Sequence, residues 1–254
     1  MDVKEQIQKM RPIDDTFFEV LIEDKLVCQE ILRIVMEDAS LEVLEVVPQR
    51  SIRNLGYRSV RLDAYCKLGD NSLCNIEVQR SNNDDQHRRA RYNAASIVTR
   101  ETDPGLHFRN IPDIYVIIIS EFDIFHKGRM VYHTSQCIEE TGDFISDGER
   151  RIYLNTENTD DSEIGLLMQA FKQTQVDSRK YPYMHRRIHH LKESEKGVGY
   201  MCEIMKEIVD EEIKEIAIRM LKKGSSIEFV SECTELDYDY VKKLKDELRY
   251  ATVS

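Results

Sequence analysis

Tryptophan is absent from the 254 residues of this chain, and glycine and proline are sparse, at 10 and 5. So few breakers exclude a collagen-like or low-complexity chain and leave room for long regular elements. Apolar runs are short as well, and none approaches the ~18 to 20 residues that a membrane helix requires. The opening Met1-Asp2-Val3-Lys4-Glu5 is charged and lacks an apolar core, so no secretory signal is expected. The six cysteines, at 28, 66, 74, 137, 202 and 233, include no C-x-x-C pair. That argues against a zinc ribbon or a disulfide scaffold and for reduced thiols in a cytoplasmic protein. What is present is 41% hydrophobic and 33% charged. Such a chain can bury a core and is not a disordered polyelectrolyte. Its length suits one large domain, or a domain with a smaller helical appendage.

A net charge of -11 appears to exclude a phosphate-binding surface, but the charge is unevenly spread. Residues 50–100 carry ten bases (Arg50, Arg53, Arg58, Arg61, Lys67, Arg80, Arg88, Arg89, Arg91, Arg100) against five acids, a local +5. The remainder is therefore at -16. One basic segment in an acidic protein fits a local anionic partner, or else a solvated surface.

Hydrophobic spacing predicts an amphipathic helix over 16–37, with Asp14, Asp15 and Thr16 as cap choices. Strands are expected at 41–47, 60–67 and 72–79, a helix over 84–100, and a buried central strand at Ile114-Tyr115-Val116-Ile117-Ile118-Ile119. Beyond about residue 160 the pattern turns helical. One long helix is closed by Lys222-Lys223-Gly224, and two short ones follow at 225–233 and 238–249. The plan is α/β with an all-α tail.

Gly69-Asp70-Asn71 reads as a hairpin loop between the second and third strands. A three-residue loop sets Leu62, Ala64 and Cys66 opposite Val78, Ile76 and Cys74 on one apolar face. The reverse face pairs Asp63 with Glu77 and Tyr65 with Asn75, and Gln79 lies on the same side. Directly opposed side chains have Cβ atoms ~5 Å apart, and two like charges so placed repel. A hard divalent ion would relieve them, since Mg²⁺ takes one or two carboxylates and keeps water and phosphate on its other positions. A plain solvent-facing hairpin, with its acids among Arg61, Arg80 and Lys67, is the alternative on spacing alone.

Asp63 followed by Glu77-Val78-Gln79 resembles the D…(D/E)-x-K signature of the PD-(D/E)XK nuclease superfamily, with Gln in the last place. Further blocks resemble its recombination-promoting nuclease, or PD-(D/E)XK family transposase, branch. They are Asp15-Thr16-Phe17-Phe18, Arg61-Leu62-Asp63, Arg88-Arg89-Ala90-Arg91-Tyr92, Tyr115–Ile119, Phe125–Arg129 and Ile152–Thr156. The resemblance spans about residues 11–157 and implies a restriction-endonuclease-like core: a mixed central sheet flanked by helices, with the 84–100 helix closing the site. It places a nuclease-like domain at 1–157 and a helical region at 158–254 ending in a degenerate helix-turn-helix. It implies that Asp63 and Glu77 ligate Mg²⁺ or Mn²⁺, and that Gln79 stands where Lys commonly orients the attacking water. Gln offers hydrogen bonds but no positive charge. Asn93 stands where an aromatic often follows Tyr92.

Asp15 matches the first-helix acid of the family and is a candidate third ligand; a helix cap is the competing reading. Glu19, one turn on, is set aside as a charged helix edge. Arg88, Arg89, Arg91 and Tyr92 suit phosphate contact and base stacking, or else simply neutralise Asp84 and Asp85. His185 and His189 have zinc-ligand spacing but no third ligand, so the basic stretch 179–190 reads as plain surface. Phe125–Arg129 reads as a turn closed by Gly128. Residues 224–244 look like the last two helices of a helix-turn-helix, but the second opens Asp237-Tyr238-Asp239, which repels phosphate. Those helices are read as a structural or self-associating element, through which the protein would form a homo-oligomer. The expected function is a Mg²⁺-dependent DNA endonuclease linked to a mobile element or recombination. Its rival is a catalytically weak or silent protein of the same fold that binds DNA or serves assembly, and a helix-turn-helix regulator ranks third.

Overall fold

A strand that is apolar on both sides is stable only when both sides are covered. In the computed structural model, which describes residues 3–52 and 60–251, the run at 114–119 is such a strand. The strands are β1 (Val43–Ile52), β2 (Val60–Leu68), β3 (Leu73–Gln79), β4 (Ile114–Ser120), β5 (Val131–Thr134), β6 (Gln136–Cys137), β7 (Phe144–Ile145) and β8 (Glu149–Asn155). Six of them form one sheet in the order β1-β2-β3-β4-β8-β5, while β6 and β7 pair separately. The β1-β2-β3 meander and the β5-β8 pair are antiparallel; β3-β4 and β4-β8 are parallel. This is the mixed restriction-endonuclease-like sheet expected from the sequence.

The helices of the first compact unit, Met1–Ser194, are α1 (Val3–Lys9), α2 (Asp15–Ile22), α3 (Lys25–Val35), α4 (Gln86–Glu101), α5 (Glu163–Phe171) and α6 (Pro182–Glu193). On one sheet face α3 packs over β2, with the free thiols of Cys28 and Cys66 3.2 Å apart. On the other, Ala90, Ala94 and Ile97 of α4 pack with Tyr65, Leu73, Val116, Ile118 and Tyr153.

One expectation is corrected. The single helix over 16–37 is two helices, because the Asp24 carboxylate accepts the Leu26 N–H at 3.0 Å and starts a new one. The break lets Phe17, Phe18, Val20, Leu21 and Ile22 of α2 all be buried, which one continuous amphipathic stripe does not allow. The first compact unit runs on past residue 157 to Ser194. Phe171 of α5 lies against Phe18 at a ring separation of 6.2 Å, and Glu30 of α3 accepts the Tyr183 and Met184 N–H groups at the start of α6. Lys192 of α6 is buried and donates to the carbonyls of Gln8, Met10 and Thr174. The stretch 179–190 is partly used inside this unit: Arg187 donates to Val20 O and Glu23, Arg186 pairs with Asp24, and His185 Nδ1 lies 2.9 Å from Val176 O.

The second unit, Glu195–Ser254, holds α7 (Glu195–Lys222), α8 (Ile227–Thr234) and α9 (Tyr238–Ala251). Gly224, at φ +91°, ends the long helix as expected. Ala217, Leu221, Val230, Val241 and Leu244 form its core, with Ile227 and Leu236 packed against them. Val230, Val241 and Leu244 are thus taken up within the unit, while Phe229 of α8 stays 53% exposed. Deleting residues 224–254 strips that cover from Ala217 and Leu221. It is expected to lower thermal stability or alter sedimentation while changing DNA affinity little, and a large loss of DNA affinity with unchanged sedimentation would overturn this. Among the described residues no helix is long and apolar enough to cross a membrane.

Candidate active site

The β2-β3 ladder pairs Ala64 with Ile76, Tyr65 with Asn75 and Cys66 with Cys74, the register set by the Gly69-Asp70-Asn71 loop. Past Ala64 the ladder changes character. Asp63 turns its carboxylate onto the Val78 N–H at 2.9 Å, so a side chain takes the place of the next backbone rung. One expectation fails there: Leu62 packs with Tyr65 in the cluster under α4 instead of sharing a face with Ala64 and Cys66. Asp63 and Glu77 nevertheless line one cleft of about 590 Å³, together with Arg61, Asp84, Asp85, Arg88, Arg89, Arg91, Tyr92 and Asn93.

Glu77 is 2% exposed, and its Oε1 accepts from Asn75 Nδ2 at 3.0 Å and Asn93 Nδ2 at 3.1 Å. Burial pushes its carboxyl up to about 7, although Asn75, Arg89 and Asn93 pull the other way. Asp63 is raised well above the usual carboxylate range, first by burial and next by Glu77; the Val78 N–H opposes this, and Glu19 and Asp15 add to it. Two raised carboxyls, one by burial and the other by burial and its neighbour's charge, mark a site short of positive charge.

The helix acids belong to the same field. The N-cap of α2 is Asp14, not Asp15, and the Asp14 carboxylate makes no cap bond but pairs with Arg11 and Arg80. The cap reading of Asp15 therefore does not hold. Burial raises both Asp15 and Glu19, and Glu19 also accepts from Gln49 Nε2. Glu19, set aside on sequence, thus joins the acids around Asp63.

The basic helix splits into two kinds of arginine. Arg88 is 79% exposed and pairs with Asp85 at 3.3 Å. Arg89 is 31% exposed, donates Nη1 to Gln79 Oε1 at 3.0 Å and lies 3.6 Å from Asp84. Arg91 and Tyr92 line the cleft from the exposed side of α4. Arg53 and Arg58, counted in the basic window, lie outside the described residues. Asn75 and Asn93 escaped the sequence reading. The signal for Asn93 was a polar residue at helical spacing among Ala90, Ala94 and Ile97 on the buried side of α4.

The donor set fits a hard divalent cation: two carboxylates, oriented by Val78 and by two amides, in a cleft with room for water and a phosphate. Among the described residues no three His, Cys, Asp or Glu side chains form a ready-made metal cage, and His185 with His189 is no exception. Two protein ligands are, however, what Mg²⁺ commonly takes.

No curated protein and no solved structure matches the chain. Residues 23–163 match the family model described as PD-(D/E)XK nuclease family transposase, a span that starts after Asp15 and Glu19. It takes in the acidic hairpin, the cleft and the basic helix, and covers more than half of the chain, which therefore belongs to the PD-(D/E)XK nuclease family transposases.

Proposed function

We propose that the protein is a DNA endonuclease dependent on Mg²⁺ or Mn²⁺, acting for a mobile element or in recombination. The observation that carries this reading is the pair of half-buried Asp63 and buried Glu77, each carboxyl raised, facing the arginines of α4 across one cleft. A bound ion would supply an activated water and offset charge building on phosphorus. Asp63 and Glu77 would hold the ion through their carboxylate oxygens, Asp63 steadied by the Val78 N–H and Glu77 by Asn75 and Asn93. Asp15 and Glu19 deepen the negative field, with Asp15 the nearer candidate for a further ligand. Arg88 and Arg91 take up phosphates, exchanging weak surface pairs such as Arg88-Asp85 for them, and Tyr92 offers a ring to an unpaired base. The unpaired cysteines, three of them buried, support a cytoplasmic location.

One observation favours the weaker or silent reading: the Gln79 carbonyl is already engaged by Arg89. A titration of supercoiled and linear DNA cleavage with Mg²⁺ and Mn²⁺ separates the two, and no cleavage at any concentration would leave a binding or assembly protein. For the DNA surface, the double substitution Arg88→Ala, Arg91→Ala is expected to weaken binding to unrelated sequences alike. It should also flatten the plot of log affinity against log salt by about 1 to 2 units. An unchanged slope would return the exposed side of α4 to ordinary solvated surface.

A further inference from the structure

Of the four arginines of α4, the three near its start, Arg88, Arg89 and Arg91, are not equivalent, and the difference lies in what fixes them. Arg88 is a mobile surface side chain at 79% exposure, held by one ion pair on its own helix. Arg89 is drawn in to 31% exposure and tied at both ends of its fork, to Gln79 on the neighbouring strand and to Asp84 before the helix. Gln79 is two residues beyond Glu77, so the hydrogen bond carries the guanidinium to the acidic end of β3. A guanidinium has five N–H donors, and these two contacts leave donors for a phosphate oxygen.

Held this way, a cation is ready before the reaction begins and needs no rearrangement as charge develops, the condition under which electrostatic stabilisation is most effective. A surface arginine that must be gathered from solvent lacks that advantage. We propose that Arg89 supplies the fixed positive charge facing the phosphoryl group in the transition state, and that Gln79 is its positioning residue, whereas Arg88 and Arg91 serve binding alone. The inference rests on the nuclease reading and assigns roles within that site. The step is addition of one water across a phosphodiester. A P–O bond forms to the water oxygen, the P–O bond to the leaving sugar oxygen breaks, the water gives up a proton and the leaving oxygen takes one. Arg89 neither gains nor loses a proton; it stabilises the negative charge on the non-bridging oxygens.

The test is a double-substitution cycle read in two ways on the full-length protein. Arg89→Ala is expected to slow single-turnover cleavage about 100-fold or more and to flatten the salt slope of DNA binding in EDTA by no more than about 1 unit, the share of a single phosphate contact. Gln79→Lys alone should not speed cleavage, because its ammonium is repelled by Arg89. In the Arg89→Ala background the same substitution restores a cation and should recover at least about a tenfold share of the lost rate, a reversal of sign that a purely structural role does not produce. Gln79→Glu keeps the acceptor for Arg89 and should preserve the salt slope. A wild type that cleaves beside an equally active Arg89→Ala overturns the inference while sparing the nuclease reading. So does the absence of rescue. A wild type inert with both Mg²⁺ and Mn²⁺ removes the nuclease reading, and the inference falls with it.

Discussion

Replacing Asp63 by Asn, or Glu77 by Gln, is expected to abolish metal-dependent cleavage and at the same time to stabilise the metal-free protein. The two effects have one origin. Burial and mutual repulsion make the charged pair costly to fold, and that unmet negative charge is what would bind a cation. Glu77 titrates at about 7 in the folded protein against an ordinary 4.5. With the folded value above the unfolded one, the stability it contributes as a neutral acid is complete below the unfolded value and is lost as pH rises through about 7. Glu77→Gln keeps an acceptor oxygen for Asn75 and Asn93 but removes the charge. Above neutral pH it should gain of order 3 kcal/mol over the wild type in EDTA. Urea midpoints at pH 5 and pH 8, with and without Mg²⁺, check this. The wild type should lose stability on going to pH 8 and recover it with Mg²⁺; the variant should do neither. Variants less stable than the wild type at pH 8 in EDTA would show that the carboxylates are structural partners and not a repelling pair.

The largest loss of stability is expected at a residue far from the chemistry. Lys192 is 1% exposed, and its Nζ donates to Met10 O and Thr174 O at 2.6 Å each and to Gln8 O at 3.1 Å. The ammonium also sits 5.1 Å from the centre of the Phe17 ring. Burial lowers it to about 8, so at neutral pH it is still mostly charged, held by carbonyls in place of water. Lys192→Met preserves the length and the contact with Phe17 but leaves the carbonyls of Gln8, Met10 and Thr174, on exposed or half-buried residues, without that donor. Each unsatisfied group costs ~1 to 3 kcal/mol, so the variant should lose about 3 kcal/mol or more. The end of α1, the segment before α6 and α6 itself would all be loosened. Thermal unfolding of the variant should show a clearly lower midpoint, and faster amide exchange around Met10 and Thr174 would place the damage. An unchanged midpoint would mean that water or a neighbouring donor replaces the ammonium.

The sequence alone determined those parts of this protein that depend on neighbours along the chain. Period-two alternation and a three-residue loop set the β2-β3 register, and the all-apolar run at 114–119 marked the buried strand. Gly224 ended the long helix, and the pattern of Asp63, Glu77 and the arginine block pointed to the family. Tertiary structure decided whatever depends on partners distant in sequence. The Asp63 carboxylate replaces a ladder rung at Val78, which sends Leu62 to the other cluster and ends the alternation. Asn93, a helix residue, turns inward to hold a strand carboxylate sixteen positions away, and Gln79 captures Arg89 alone of the arginines of α4. Lys192 is a base in a charged helix, and only the fold closes three carbonyls around it. Local spacing reports which face a side chain takes; it carries no record of which polar groups burial has left in need of a partner, and in this protein that need shaped the site.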